Sequence, residues 1–155
     1  MSFILIFVLT GCTQKNATNN LKITQSDEDI IYEYLDTKTD DVAKPVTKGG
    51  KMYSAFHVFG TDNDKIYIWL SKIEYVKSNN QVINEGGAVS CPLVLNINRK
   101  DDPFSIVSHK YPEDGVNNGK SIKKLFPSDI REKMKGYKDN LNEVTKNRAE
   151  KDLLE

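Results

Sequence analysis

Apolar and polar positions change their spacing several times along the chain, and each change predicts an element. Ser26-Asp27-Glu28-Asp29 precedes Ile30, Ile31, Tyr34 and Leu35, which recur at helical spacing and form one apolar stripe. Ser26 is placed to accept a bond from the Asp29 amide, and the acidic first turn suits the positive end of the helix dipole. Charges, Pro45 and the Gly49-Gly50 pair then predict a loop over 37–50. Met52 to Phe59 is rich in aromatic and branched residues and reads as a strand that stops at Gly60, before the turn Thr61-Asp62-Asn63-Asp64. Ile66 to Val76 alternates. Tyr67, Trp69, Ser71, Ile73 and Tyr75 share one face, with Ile66, Ile68 and Leu70 on the other. After a second turn at Ser78-Asn79-Asn80, Gln81 to Asn98 predicts a third strand, with a bulge or bend at Gly86-Gly87. Phe104 to His109 is a short fourth strand.

The last third is helical and weakly patterned. A loop from Tyr111 to Asn118 leads to a short helical segment around Ser121 to Leu125. Ser128 is the expected cap of a helix through Ile130 and Met134, and Gly136 weakens it. Beyond it, Leu141, Val144 and Leu153 make a sparse stripe among charges, which predicts a frayed or solvated helix. The whole predicts an α+β domain over 26–135, an N-terminal helix packed on a four-stranded antiparallel meander and followed by helical segments, with a charged, partly helical tail over 136–155. That order of elements resembles the cystatin-like layout in topology alone.

The N-terminus carries a different signal. Phe3 to Leu9 is apolar, but far shorter than the ~20 residues that cross a bilayer. Thr13 to Gln25 is polar and reads as a tether of ~20 Å root-mean-square span. Leu9-Thr10-Gly11-Cys12 resembles the lipobox of bacterial lipoproteins. That resemblance implies a signal peptide over 1–11, cleavage before Cys12 and a diacylglycerol on its sulfur. Membrane lipid is then a partner, and the body sits on the extracytoplasmic face of a cell membrane. Nothing before Cys12 is charged, unlike an ordinary signal peptide, and a start upstream of Met1 accounts for this. The alternative is an apolar N-terminus packed as a strand.

Composition narrows the partners. Lys plus Arg and Asp plus Glu both number 22 in 155 residues, so net charge gives no reason to expect nucleic acid. Arginine occurs only as Arg99, Arg131 and Arg148. The Lys, Asn and Ile bias matches an AT-rich, low-GC Gram-positive genome. With Cys12 acylated, Cys91 is the sole free thiol, and a monomer without an internal disulfide is expected.

Several segments resemble small lipoproteins and secreted domains of Gram-positive bacteria that have no established activity. They are His57-Val58-Phe59-Gly60-Thr61, Ile66-Tyr67-Ile68-Trp69-Leu70, Pro92-Leu93-Val94-Leu95, His109 to Gly115 and Ile122 to Pro127. The resemblance implies a surface lipoprotein and carries over no catalytic or ligand residue.

Three constellations offer chemistry. Cys91 with His57 or His109 as base is the pairing a small hydrolase would need, although Cys91 lies in an apolar run. The two histidines with carboxylates are the metal alternative, but no HxH, HxxxH or CxxC spacing is present, and neither metal nor cofactor is expected. Tyr67, Trp69 and Tyr75 form an aromatic face suited to a glycan, peptide or protein partner, unless it is core beneath the first helix. Lys120, Lys123 and Lys124, with Lys110, could present a basic patch to anionic lipid or wall polymer. Gln81 to Gly86 does not match the spacing of the cystatin inhibitory loop. The chain is therefore expected to be a membrane-anchored, non-catalytic binding module with an unknown protein or cell-wall partner. The rival is a small extracytoplasmic hydrolase or metal-dependent enzyme using His57, His109 and Cys91.

Overall fold

A computed structural model describes residues 21–138 and 140–155. Cys12, the lipobox and most of the tether lie outside the described residues. Leu21 and Ile23, the apolar residues at the end of the stretch read as a tether, already belong to the fold: both pack on the core, and the Leu21 amide donates to Thr61 Oγ1 at 2.7 Å.

The first helix, α1 (Gln25–Thr37), begins earlier than Ser26 predicts. Its cap is Thr24, because Asp27 lies three residues on and returns a bond. Thr24 Oγ1 accepts from the Asp27 amide at 3.3 Å, and the Asp27 carboxylate accepts from the Thr24 amide at 2.8 Å. Ile31 and Leu35 form its buried stripe.

Among the described residues five antiparallel strands follow: β1 (Lys51–Asp62), β2 (Lys65–Ser78), β3 (Gln81–Ile83), β4 (Ala88–Asn98) and β5 (Ser105–Lys110). The sheet order is β1-β2-β4-β5, with β3 pairing the far end of β2. The predicted third strand is thus two. The break at Gly86-Gly87 exists because the Glu74 carboxylate of β2 passes there, and a Cβ on Gly86 would collide with it. Then come α2 (Asn118–Leu125), α3 (Ser128–Met134) and α4 (Asn142–Leu154). Pro127, not Ser128, is the cap residue of α3, and no side chain caps that helix.

The architecture is α+β with both sheet faces covered. Ile66, Ile68 and Leu70 of β2 and Leu93, Leu95 and Ile97 of β4 pack with Ile31 and Leu35 of α1. On the opposite face, Phe59, Tyr67 and Val94 pack with Phe126 and Ile130, which pin α2 and α3. Farther along, Tyr53, Ile73 and Tyr75 pack with Ala149 of α4.

That last contact corrects the expectation of a solvated tail. α4 buries small residues, Thr145 and Ala149, and it is fixed by polar contacts that an apolar stripe does not register. Tyr75 and Thr145 share a hydrogen bond at 3.1 Å. The Arg148 guanidinium reaches Asp36 at 2.8 Å and the Ser54 carbonyl at 2.6 Å.

Two charged side chains continue the core face of β2. Lys72 and Glu74 are both 0% exposed. Lys72 Nζ donates to Thr39 Oγ1 at 2.9 Å and to the Thr39 carbonyl at 3.2 Å; burial lowers its pKa, opposed by Asp40, Asp36 and Asp41. The Glu74 carboxylate accepts from the amides of Val46 (3.0 Å), Thr47 (2.7 Å) and Gly87 (3.0 Å). It therefore ties the loop before β1 to the loop before β4. Burial pushes its pKa up, but the three amides outweigh that and hold it below the ordinary value.

Candidate functional site

The predicted aromatic face separates into buried and accessible parts. Tyr67 is 2% exposed and packs against Phe126, with ring centroids 5.9 Å apart. Tyr75 is 6% exposed and lies edge-on to Tyr53. Both belong to the core, but beneath the C-terminal helices rather than beneath α1 as the core alternative has it. The reason is the alternation itself: α1 took the Ile66, Ile68 and Leu70 face, which leaves the tyrosine face for the later helices. Of the three aromatics only Trp69 is partly exposed.

Trp69 stands opposite His57 of β1 and Pro92 of β4. Its indole N–H donates to Ser90 Oγ at 2.7 Å, which fixes the ring and leaves its face as the available surface. On one side it meets Tyr137 at 5.7 Å, and Tyr137 in turn stacks on His57 at 4.8 Å. On the other side it enters a groove of about 650 Å³ between α2 and α3. Pro92, Ile122 and Met134 complete the apolar lining, and Lys123, Arg131, Glu132 and Lys135 bring charge.

Local sequence explains the groove. Pro127 cannot continue α2 and disfavours helix at Phe126, so the chain turns there and α3 starts at once. Phe126 and Ile130 then anchor the turn to the sheet and leave the partly exposed Ile122 and Met134 above Trp69. The charges are unequal in their partners. Glu132 is paired with Lys135 at 2.7 Å, with both side chains more than two-thirds exposed. Arg131 Nε is buried and has no hydrogen-bond partner among the described residues. Lys123 is exposed on the α2 rim.

The structure does not bring His57, His109 and Cys91 together. His57 lies on the Trp69 face, stacked on Tyr137 and edge-on to Phe59. Cys91 is opposite Leu70, on the α1 face. His109 is also on that face, but it pairs with Leu95, four residues along β4 from Cys91 and so ~13 Å away. Burial, aided by Asp114, pushes the Cys91 thiol up to about 11, away from thiolate chemistry near neutrality. His109 instead links three elements: its Nε2 lies 3.0 Å and 3.1 Å from the Asp41 oxygens, and its Nδ1 is 3.0 Å from Tyr34 Oη. Among the described residues no group of three or more His, Cys, Asp and Glu could hold a metal ion, and no helix is long and apolar enough to cross a membrane.

Strand alternation puts Trp69 among the candidate aromatics, whereas no pattern in the sequence singles out Arg131, whose place in the groove depends on the turn at Pro127. Lys123 was noted as part of a basic patch and proves to border the groove. No protein-family model, curated protein or solved structure matches the chain.

Proposed function

We propose that this protein is a lipid-anchored, extracytoplasmic binding module whose contact site is the Trp69 groove. The observation that carries the reading is the placement of Trp69. One large aromatic, with its N–H already satisfied, floors an open groove between two helices while its neighbours Tyr67 and Tyr75 are core. Tyr and Trp dominate contact energy at interfaces when one face is open and the rest is held rigid. The anchor is supported by Leu9-Thr10-Gly11-Cys12 after the apolar run, and by the resemblance to small Gram-positive lipoproteins.

Two experiments test the two halves. In the native host, the Cys12→Ser variant is expected in the medium or the soluble fraction, while the wild type stays with membranes. Equal membrane retention of both removes the anchor. For the site, a photo-crosslinking residue at Lys123 in living cells is expected to give discrete adducts that Trp69→Ala abolishes, while the same residue at Lys77 gives none of them. Adducts unaffected by Trp69→Ala remove the groove as the contact site.

A further inference from the structure

Resting on that reading of the groove, we infer that its occupant is an acidic peptide segment of a partner protein that carries a large apolar side chain. Trp69, Pro92, Ile122 and Met134 offer carbon surface and the face of an indole. With the indole N–H held by Ser90, Trp69 has no donor left for a hydroxyl, so this floor matches an aliphatic or aromatic side chain.

The rim supplies the sign of the charge. Glu132 is taken by Lys135, while Lys123 and Arg131 make no ion pair among the described residues. Arg131 is the stronger of the two, because it is partly buried against the groove while Lys123 is exposed on its rim. Arg131 lines the groove, and its planar guanidinium is the side chain whose geometry best matches a carboxylate arriving beside Trp69. Peptide is favoured over glycan by the neutral polar side chains at hand. Among the described residues only Asn118 and Ser128 border the groove, few for the many hydroxyls of a sugar. The volume of about 650 Å³ holds a few residues, with one apolar side chain set against Trp69.

Trp69 is the only tryptophan in the chain, so its emission reports the site directly. The full chain carrying Cys12→Ser is titrated to about 1 mM, a weak-binding limit, with acetyl-Glu-Asp-Leu-Phe-Glu-amide. Three further probes are a version with Lys at every acidic position, a version with Gly-Gly for Leu-Phe, and polyglycerol phosphate. The expected result is a saturable shift of Trp69 emission with the first peptide alone, weakened as salt rises. The Lys123→Gln/Arg131→Gln double variant is expected to raise Kd about tenfold or more, as loss of charged hydrogen bonds does, and Lys124→Gln to leave it unchanged. Circular dichroism confirms that the double variant is folded.

Equal binding by the lysine peptide, or an unchanged Kd in the double variant, overturns the acidic assignment and leaves the groove reading standing. A shift with polyglycerol phosphate but not with peptide overturns the peptide assignment. No shift with any probe overturns the inference, and the cellular crosslinks at Lys123 then decide the groove reading separately.

Discussion

Glu74→Ala is expected to lower the thermal midpoint by more than about 10 °C. The carboxylate is 0% exposed and is the common acceptor for the amides of Val46, Thr47 and Gly87. Removing it leaves three donors without an acceptor, together with the space its side chain filled. Gly50 and Gly86 are close against the same carboxylate, so neither loop has a side chain to fill that gap. Glu74→Gln separates size from charge. The amide has the same volume, but its NH2 group turns a donor toward the backbone amides of Val46, Thr47 and Gly87, so a clear loss is expected there too. Hydrogen exchange should speed at Val46, Thr47 and Gly87 before it speeds at Leu70 or Leu93.

The pH dependence has a definite sign. The folded carboxyl is held below its ordinary value, so its contribution is complete above the ordinary carboxyl range and is lost as pH falls through the depressed folded value. Glu74→Gln should therefore flatten the acid limb of the stability curve. A Gln variant that melts within about 2 °C of wild type, with the same acid limb, rules out the tie.

The same residue marks where the sequence stops being legible. Ile66, Ile68 and Leu70 share one face by simple alternation, but alternation does not say which face α1 covers: Ile31 and Leu35 pack not on the tyrosine face but on these residues. Two residues farther on, the face continues through Lys72 and Glu74, and a polarity count takes them for solvent. Their partners are backbone groups and Thr39, set by loop geometry, which no periodic pattern encodes. The glycine pairs Gly49-Gly50 and Gly86-Gly87 were the available clue, because both crowd one side chain. At the candidate site, strand alternation groups Trp69 with Tyr67 and Tyr75 on one face but does not tell which of them stays accessible. Arg131 stands outside any such pattern, because its position follows from a turn at Pro127 and from Phe126 and Ile130 anchoring it. α4 was missed for a third reason: it buries Thr145 and Ala149, and hydrophobic periodicity is blind to small residues held by polar contacts.

Truncation after Lys135 is accordingly expected to lower the midpoint by about 10 °C or more and to promote self-association. α4 shields Tyr53, Ile73 and Tyr75, and each large apolar side chain returned to water costs ~2 kcal/mol. For a domain of this size that sum corresponds to at least ~10 °C. Association follows from the position of β1 at the sheet edge. An unpaired edge offers backbone groups to another chain. Here the outward groups at Ser54 are both occupied: the amide by Asp36 at 2.9 Å and the carbonyl by Arg148 at 2.6 Å, with the two side chains paired to each other. This pair holds the place that a neighbouring strand would take.

Arg148→Ala distinguishes burial from edge protection. It keeps α4 over the tyrosines, so its midpoint should fall by less than that of the truncated chain. It frees the Ser54 carbonyl, so sedimentation velocity should still detect concentration-dependent dimers. A truncated chain that melts within about 3 °C of the full one and stays monomeric means α4 neither supports the core nor guards the edge. An Arg148→Ala chain that stays monomeric while the truncated one dimerises assigns association to the uncovered Tyr53 and Tyr75 face instead.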